Sequence, residues 1–203
     1  MSYVNSRSGN FMEALFSSFT AVAIAEIGDK TQLLSLFLAA RFRNKGAIIA
    51  GILVATLLNH AASAWLGVWV AQFIPANWHN WLLGGSFIAV ALWLLIPDKD
   101  DSEDTGVLRF GAFAASCMLF FLAEIGDKTQ IATVLLAASF NDAVWWVIWG
   151  TTLGMLAANV PVVYAGSWLM QKMPLGLARK AACAVFMLLG LYIIYSDQLL
   201  TLG

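Results

Sequence analysis

Six ionisable side chains stand where an apolar chain should not tolerate them. Glu26, Asp29 and Lys30 lie in the octapeptide AEIGDKTQ at Ala25–Gln32, and Glu124, Asp127 and Lys128 lie in the same octapeptide at Ala123–Gln130. Carboxylates are hard oxygen donors, so four of them around one point suit Ca²⁺ or Mn²⁺ and are poorly matched to Cu⁺ or Zn²⁺, which favour thiolate and imidazole. Four carboxylates against two lysines leave a formal charge of −2. One divalent cation neutralises that charge, and so do two protons. Exchange of one for the other at the same acids is the chemistry of coupled transport.

The cost of placing these groups explains why they must meet a partner. An ionisable side chain at the centre of a bilayer costs roughly 2.5–3.5 kcal/mol on insertion scales, so six unpaired ones would oppose insertion by roughly 15–20 kcal/mol. On a continuous helix Glu26 and Asp29 stand three residues apart and share a face, with Lys30 one turn from Glu26 and able to pair with it; Glu124, Asp127 and Lys128 repeat the arrangement. Ion pairs that only fix helix packing are the plain alternative, but desolvation consumes most of what such pairs gain, and two acids would be left over. Thr31, Gln32, Thr129 and Gln130, with Asn59 and Asn159 on later spans, are the expected supporting polar groups. His60 has two readings, a hydrogen-bonded histidine inside a helix bundle or a proton relay or ligand beside the acids.

The elements that position these groups follow from hydropathy. With 61% hydrophobic and 11% charged residues, the composition is that of an all-α protein threaded through a lipid bilayer. Six spans are predicted, at about Phe11–Ala40, Ala47–Ile74, Trp81–Ile96, Phe110–Ala138, Ala143–Met170 and Leu177–Tyr195. The two motif spans are too long for a hydrocarbon core of about 30 Å, and Gly28 and Gly126, between the acids, are where a break would expose half-helix ends at mid-membrane. The polar N-terminal segment MSYVNSRSGN is expected to be a retained leader into the first span. Cys117 and Cys183 fall in apolar spans and read as free thiols. A net charge of −1 supplies no basic stripe, which argues against nucleic acid as a partner.

Basic residues set the orientation. Arg41, Arg43, Lys45, Lys99, Arg109, Lys172, Arg179 and Lys180 follow the odd-numbered spans, while Arg7 alone lies on the other side. The positive-inside rule then makes the odd loops cytoplasmic and sends both termini to the periplasm of a bacterial inner membrane. Three spans separate the two motifs, so the second copy enters upside down relative to the first, as an inverted repeat. The expected division is residues 1–97 as the first three-helix repeat, 98–106 as an acidic cytoplasmic linker, and 107–203 as the second repeat. An integral-membrane lipid-pyrophosphate phosphatase is a competing class, but it wants an arginine clamp on phosphate and no arginine lies mid-span. A passive cation channel competes too, at the cost of two lysines in its pathway.

Two complete copies of E-x-G-D-K-T, each opening a three-span repeat, resemble the Golgi-type cation/proton exchanger family, whose bacterial members include manganese exporters. Within the stretches Ala25–Phe42 and Ala123–Phe140, 12 of 18 positions are identical, and the resemblance covers essentially the whole chain. It implies a transporter, not an enzyme, that moves Mn²⁺ or Ca²⁺ out of the cytosol with Mn²⁺ favoured, uses protons as counter-ion, needs no cofactor, and ligates its cargo with the motif acids.

Overall fold

The computed structural model describes residues 2–96, 106–166, 168 and 175–201, and every regular element among them is helical. The chain runs through α1 (Ser2–Ala25), α2 (Lys30–Arg41), α3 (Lys45–Ala71) and α4 (Ala76–Trp93). A 3₁₀ turn at Gly106–Phe110 leads into α5 (Gly111–Glu124) and α6 (Lys128–Ser139), and a second at Asn141–Ala143 into α7 (Val144–Ala165), before α8 (Leu175–Thr201). The expected acidic linker lies outside the described residues except for Gly106, as do Lys99, Lys172 and the far end of the expected fifth span. The polar N-terminal segment, expected as a leader, is helical from Ser2.

Both motif segments interrupt a helix. Between α1 and α2 the chain bends by 72°, with Gly28 at φ +84°, and between α5 and α6 Gly126 sits at φ +75°. Positive φ is open to glycine and strained for a residue with a Cβ, so these two positions let the backbone turn where Ala or Leu would carry the helix on. Asp29 (φ −85°, ψ 168°) and Asp127 (φ −77°, ψ 162°) then restart it as N-caps of α2 and α6.

Among the described residues, four helices are long and apolar enough to cross a membrane, at Lys45–Ala71, Gly106–Glu124, Asn141–Ala165 and Gly176–Tyr195; the bent pair Phe11–Ala25 and Lys30–Arg41 makes a fifth span if counted as one. Helix α4, expected as the third span, falls short: Asn77, His79 and Asn80 in its first turns lower its hydropathy over 18 residues. The bundle has its apolar side chains outward and its polar ones inward. Trp65, Trp69, Trp81, Trp145 and Tyr192 are exposed, while Glu26, Thr31, Gln32, Ser35, Thr56, Asn59, His60 and Asn159 are buried. In water that arrangement would be unstable; in lipid it is the expected one.

Helix α1 packs along α7, α5 along α3, and α4 along α8, while α2 rests on α7 and α6 on α3. Glycine makes the first three of these seams possible. A Cβ on Gly51 would lie 2.6 Å from Phe113 O and 2.7 Å from Ser116 Cβ, and one on Gly150 would lie 2.6 Å from Leu15 O and 2.9 Å from Ser18 Cβ. Gly154, one turn on, meets Phe19 O and Ala23 N of α1, so the Gly150/Gly154 pair is a helix-packing motif. The third seam is reciprocal: a Cβ on Gly84 would lie 2.6 Å from Gly190 O, and one on Gly190 would lie 2.7 Å from Gly84 O. Gly51→Val and Gly150→Val should each destabilise the detergent-solubilised protein by about 1–3 kcal/mol or more, the cost of overpacking. Gly85→Ala, whose new Cβ meets nothing within 4 Å, should leave the melting temperature unchanged or slightly raised. Melting curves for the three variants check the seams.

Candidate functional site

The two interrupted helices bring their motifs to one buried region. Glu26 ends the first half-helix and is fully buried, and Glu124 ends α5 and is 1% exposed. Glu26 lies within range of the charges on Asp127 and Glu124, and Glu124 within range of those on Asp127 and Lys30. The clearest link between the copies is an ion pair, Lys30 Nζ to Asp127 Oδ2 at 3.3 Å. The expected pairing of Lys30 with Glu26 on one helix turn does not form, because no helix runs through residues 26–29; the lysine crosses to the other motif. For the same reason Glu26 and Asp29 do not share a helical face.

The motif turns are held by their own side chains. Asp29 Oδ1 accepts from Lys30 N at 2.8 Å and Asp127 Oδ1 from Lys128 N at 2.7 Å. Gln32 Oε1 accepts from Gly28 N at 2.8 Å, and Gln130 Oε1 from Gly126 N at 2.6 Å. This is a variant of the capping box, D-x-x-Q, in which the glutamine reaches back over the cap to the glycine before it. Gln32 and Gln130 were expected as sources of neutral oxygen for an ion; in the structure their oxygens secure the turn instead. Lys128 Nζ donates to Ile96 O at 2.6 Å and stands 5.9 Å from the centre of the Trp93 ring.

Although the octapeptides are identical, their glutamates are not equally satisfied. Glu124 is held from α3: Thr56 Oγ1 donates to Oε1 at 2.8 Å and Asn59 Nδ2 to Oε2 at 3.3 Å. Glu26 Oε2 accepts from Thr31 Oγ1 at 2.5 Å. Its Oε1 makes no hydrogen bond, and neither does Thr129 Oγ1, although the Thr129 hydroxyl is close enough to act on the Glu26 charge. Asn159, on α7, accepts from Ser35 Oγ at 2.8 Å and donates to Met155 O at 3.1 Å, tying α7 to α2 alongside the bond from Gln32 Nε2 to Ala158 O. Sequence reasoning passed over Thr56 and Ser35. Thr56, Asn59, His60 and Ser63 recur at helical spacing along α3 and are all buried, a polar stripe in an apolar span that marks the face turned to the acids.

Among the described residues, no three His, Cys, Asp or Glu side chains stand close enough together to hold a metal ion as they lie. A cavity of about 280 Å³, lined by Glu13, His79, Asn80, Ser139, Asp142 and Tyr192 among others, includes none of the motif residues in its wall.

A family model described as divalent cation/proton antiporter GDT1 matches residues 14–102 and again 112–200. A Vibrio cholerae protein provisionally named a manganese exporter is 57% identical over 180 residues, covering 89% of this chain and 90% of its own length. A GDT1-like protein of Synechocystis is 29% identical over 182 residues, 76% of this chain and 85% of the relative. GDT1-like protein 3 of Oryza sativa is 30% identical over 186 residues, 79% of this chain and 66% of the relative. No solved structure matches.

Because Lys30 and Asp127 belong to different motifs, their coupling is measurable in a double-mutant cycle. Lys30→Met should remove the cation facing Asp127 Oδ2 and destabilise more than the pair Lys30→Met/Asp127→Asn. The interaction energy should fall at about 0.5–3 kcal/mol; additive effects on unfolding would show that the copies do not touch here.

Proposed function

Because this chain belongs to the divalent cation/proton antiporter GDT1 family, it is a membrane transporter of divalent cations and not an enzyme, and we propose that it exports Mn²⁺ from the bacterial cytosol across the inner membrane in exchange for protons. The observation that carries this reading is the buried charge of the two motifs. Glu26, Asp29, Glu124 and Asp127 are buried, Lys30 reaches Asp127 across the two motifs, and one oxygen of Glu26 has no hydrogen bond. A buried carboxylate such as Glu26, with one oxygen unbonded, is stabilised by a cation or a proton.

The four acids act as ligands. Thr31, Thr56 and Asn59 orient the two glutamates, and Gln32 and Gln130 keep the glycine turns in shape. An arriving cation displaces Lys30 from Asp127 and draws the acids together. Because Asp127 also caps α6 and Asp29 caps α2, ligand movement is transmitted to both half-helices. Protons arriving from the other side neutralise the same carboxylates, release the cation, and let Lys30 return. Ca²⁺ fits an oxygen cage as well; the manganese exporter name of the Vibrio cholerae relative favours Mn²⁺.

The membrane arrangement follows from the same reading: six spans, with α1–α2, α3 and α4 forming one repeat and α5–α6, α7 and α8 its inverted copy about an axis in the membrane plane. Two packing facts support it. Gly51 meets Phe113, Ser116 and Cys117 while Gly150 meets Leu15, Ser18 and Phe19, and these partners are offset by the same 98 residues that separate Glu26 from Glu124. The reciprocal Gly84–Gly190 contact is what two helices facing each other across such an axis would make. The excess of basic residues after the odd-numbered spans puts both termini in the periplasm.

The purified protein in proteoliposomes tests the function. Vesicles made acidic inside should accumulate Mn²⁺ from the outside and alkalinise as they do so, and collapse of the pH gradient should stop accumulation. Glu26→Gln and Glu124→Gln should each reduce the flux by about tenfold or more. Accumulation indifferent to the pH gradient would point to a channel, and unchanged flux in both variants would remove the acids from the pathway.

A further inference from the structure

His60 is the one titratable residue of the α3 stripe, and its surroundings do not account for it. The side chain is 1% exposed, yet neither Nδ1 nor Nε2 has a hydrogen-bond partner. A buried imidazole ordinarily bonds through at least one nitrogen, and leaving both bare costs the desolvation of each. Its nearest charged neighbour is Glu124, with Nε2 3.9 Å from Oε2. That is too long for a hydrogen bond, and the glutamate oxygens already accept from Thr56 and Asn59. No hydrogen bond therefore joins His60 to Glu124 as the two side chains stand.

We infer that His60 is a nitrogen ligand to the transported cation and the residue that makes the site prefer a transition metal over Ca²⁺. The inference rests on the reading of Glu124 as a cargo ligand. An ion bonded at about 2.0–2.3 Å to both an imidazole nitrogen and a carboxylate oxygen holds those atoms about 3–4.5 Å apart, and the observed gap lies in that interval. The bond would satisfy a ring nitrogen that the protein leaves bare. Ca²⁺ takes oxygen donors, whereas a neutral imidazole is a good donor to first-row transition metals. Carboxylates alone bind Ca²⁺ and Mn²⁺ on similar terms; a mixed nitrogen and oxygen set moves the preference toward Mn²⁺. No histidine occupies the matching place on α7, where Asn159 is tied to Ser35 and Met155, so the nitrogen comes from one side only.

The bond can be seen in a protein that keeps His60. Mn²⁺ is paramagnetic, and an imidazole bonded to it gives nitrogen modulation in electron spin-echo spectra that changes on labelling the protein with heavy-nitrogen histidine. The sequence holds only two histidines, His60 and His79, so His79→Gln leaves His60 as the sole source. The full-length His79→Gln protein loaded with Mn²⁺ should show the modulation, and His60→Gln should lose it while still binding the ion. In proteoliposomes His60→Gln should lower the ratio of Mn²⁺ to Ca²⁺ transport by about tenfold or more. Bound Mn²⁺ without histidine modulation, or a transport ratio unchanged in His60→Gln, overturns the assignment while leaving divalent cation export standing. A His60→Gln protein that keeps the ratio but loses its response to the pH gradient also overturns it, in favour of a proton relay. A parent protein that transports neither ion fails on the export reading itself.

Discussion

Everything in this molecule answers to the difficulty of keeping ionised groups in hydrocarbon. A helix is the natural way across a bilayer because it satisfies its own backbone, and each motif gives up that advantage at the point where charge is buried. The octapeptide contains the compensation. Its glycine lets the chain turn, its aspartate caps the helix that restarts, and its glutamine bonds the glycine N–H that the break would leave bare. The glutamate stands at the C-terminal end of the preceding half-helix, where the backbone dipole disfavours an anion and favours a cation close by. The lysine of one copy crosses to the aspartate of the other. The groups that repair the break and the buried ionisable groups thus occupy the same eight residues.

Identical motifs do not make identical sites. Glu124 takes hydrogen bonds from Thr56 and Asn59, while Glu26 has its own Thr31 and a bare second oxygen. The difference comes from the long helix downstream of each motif: α3 turns a stripe of hydroxyl, amide and imidazole toward Glu124, and α7 spends Asn159 on α2. One acid is bonded from a neighbouring helix and the other from its own motif, so the two sides of the region differ although the sequence repeats itself.

Much of this was legible before any coordinates. The doubled octapeptide marks the chemistry, and 61% hydrophobic residues fix the class. The D-x-x-Q spacing within the motif is itself a helix-start signal, so the restart at Lys30 and Lys128 was available to a reader who weighed capping beside hydropathy. Other features were not readable. Whether Lys30 pairs with its own glutamate or with the opposite aspartate depends on how two distant segments meet, which no local spacing encodes. Helix α4 is a similar case: its polar first turns weaken the span signal, and what covers it, α8 through the Gly84–Gly190 contact, lies more than 100 residues away in sequence. Thr56 was missed because a single threonine in an apolar run looks ordinary until the acid facing it is known.

The glycine seams also say which helices are packed most closely. Gly150 and Gly154 lock α7 to α1, and Gly51 locks α3 to α5, each with backbone against backbone. Both pairs join a helix from the first half of the chain to one from the second. The tightest packing therefore runs across the two halves of the chain and not within them. Each half of the chain depends on the other to cover these glycine faces.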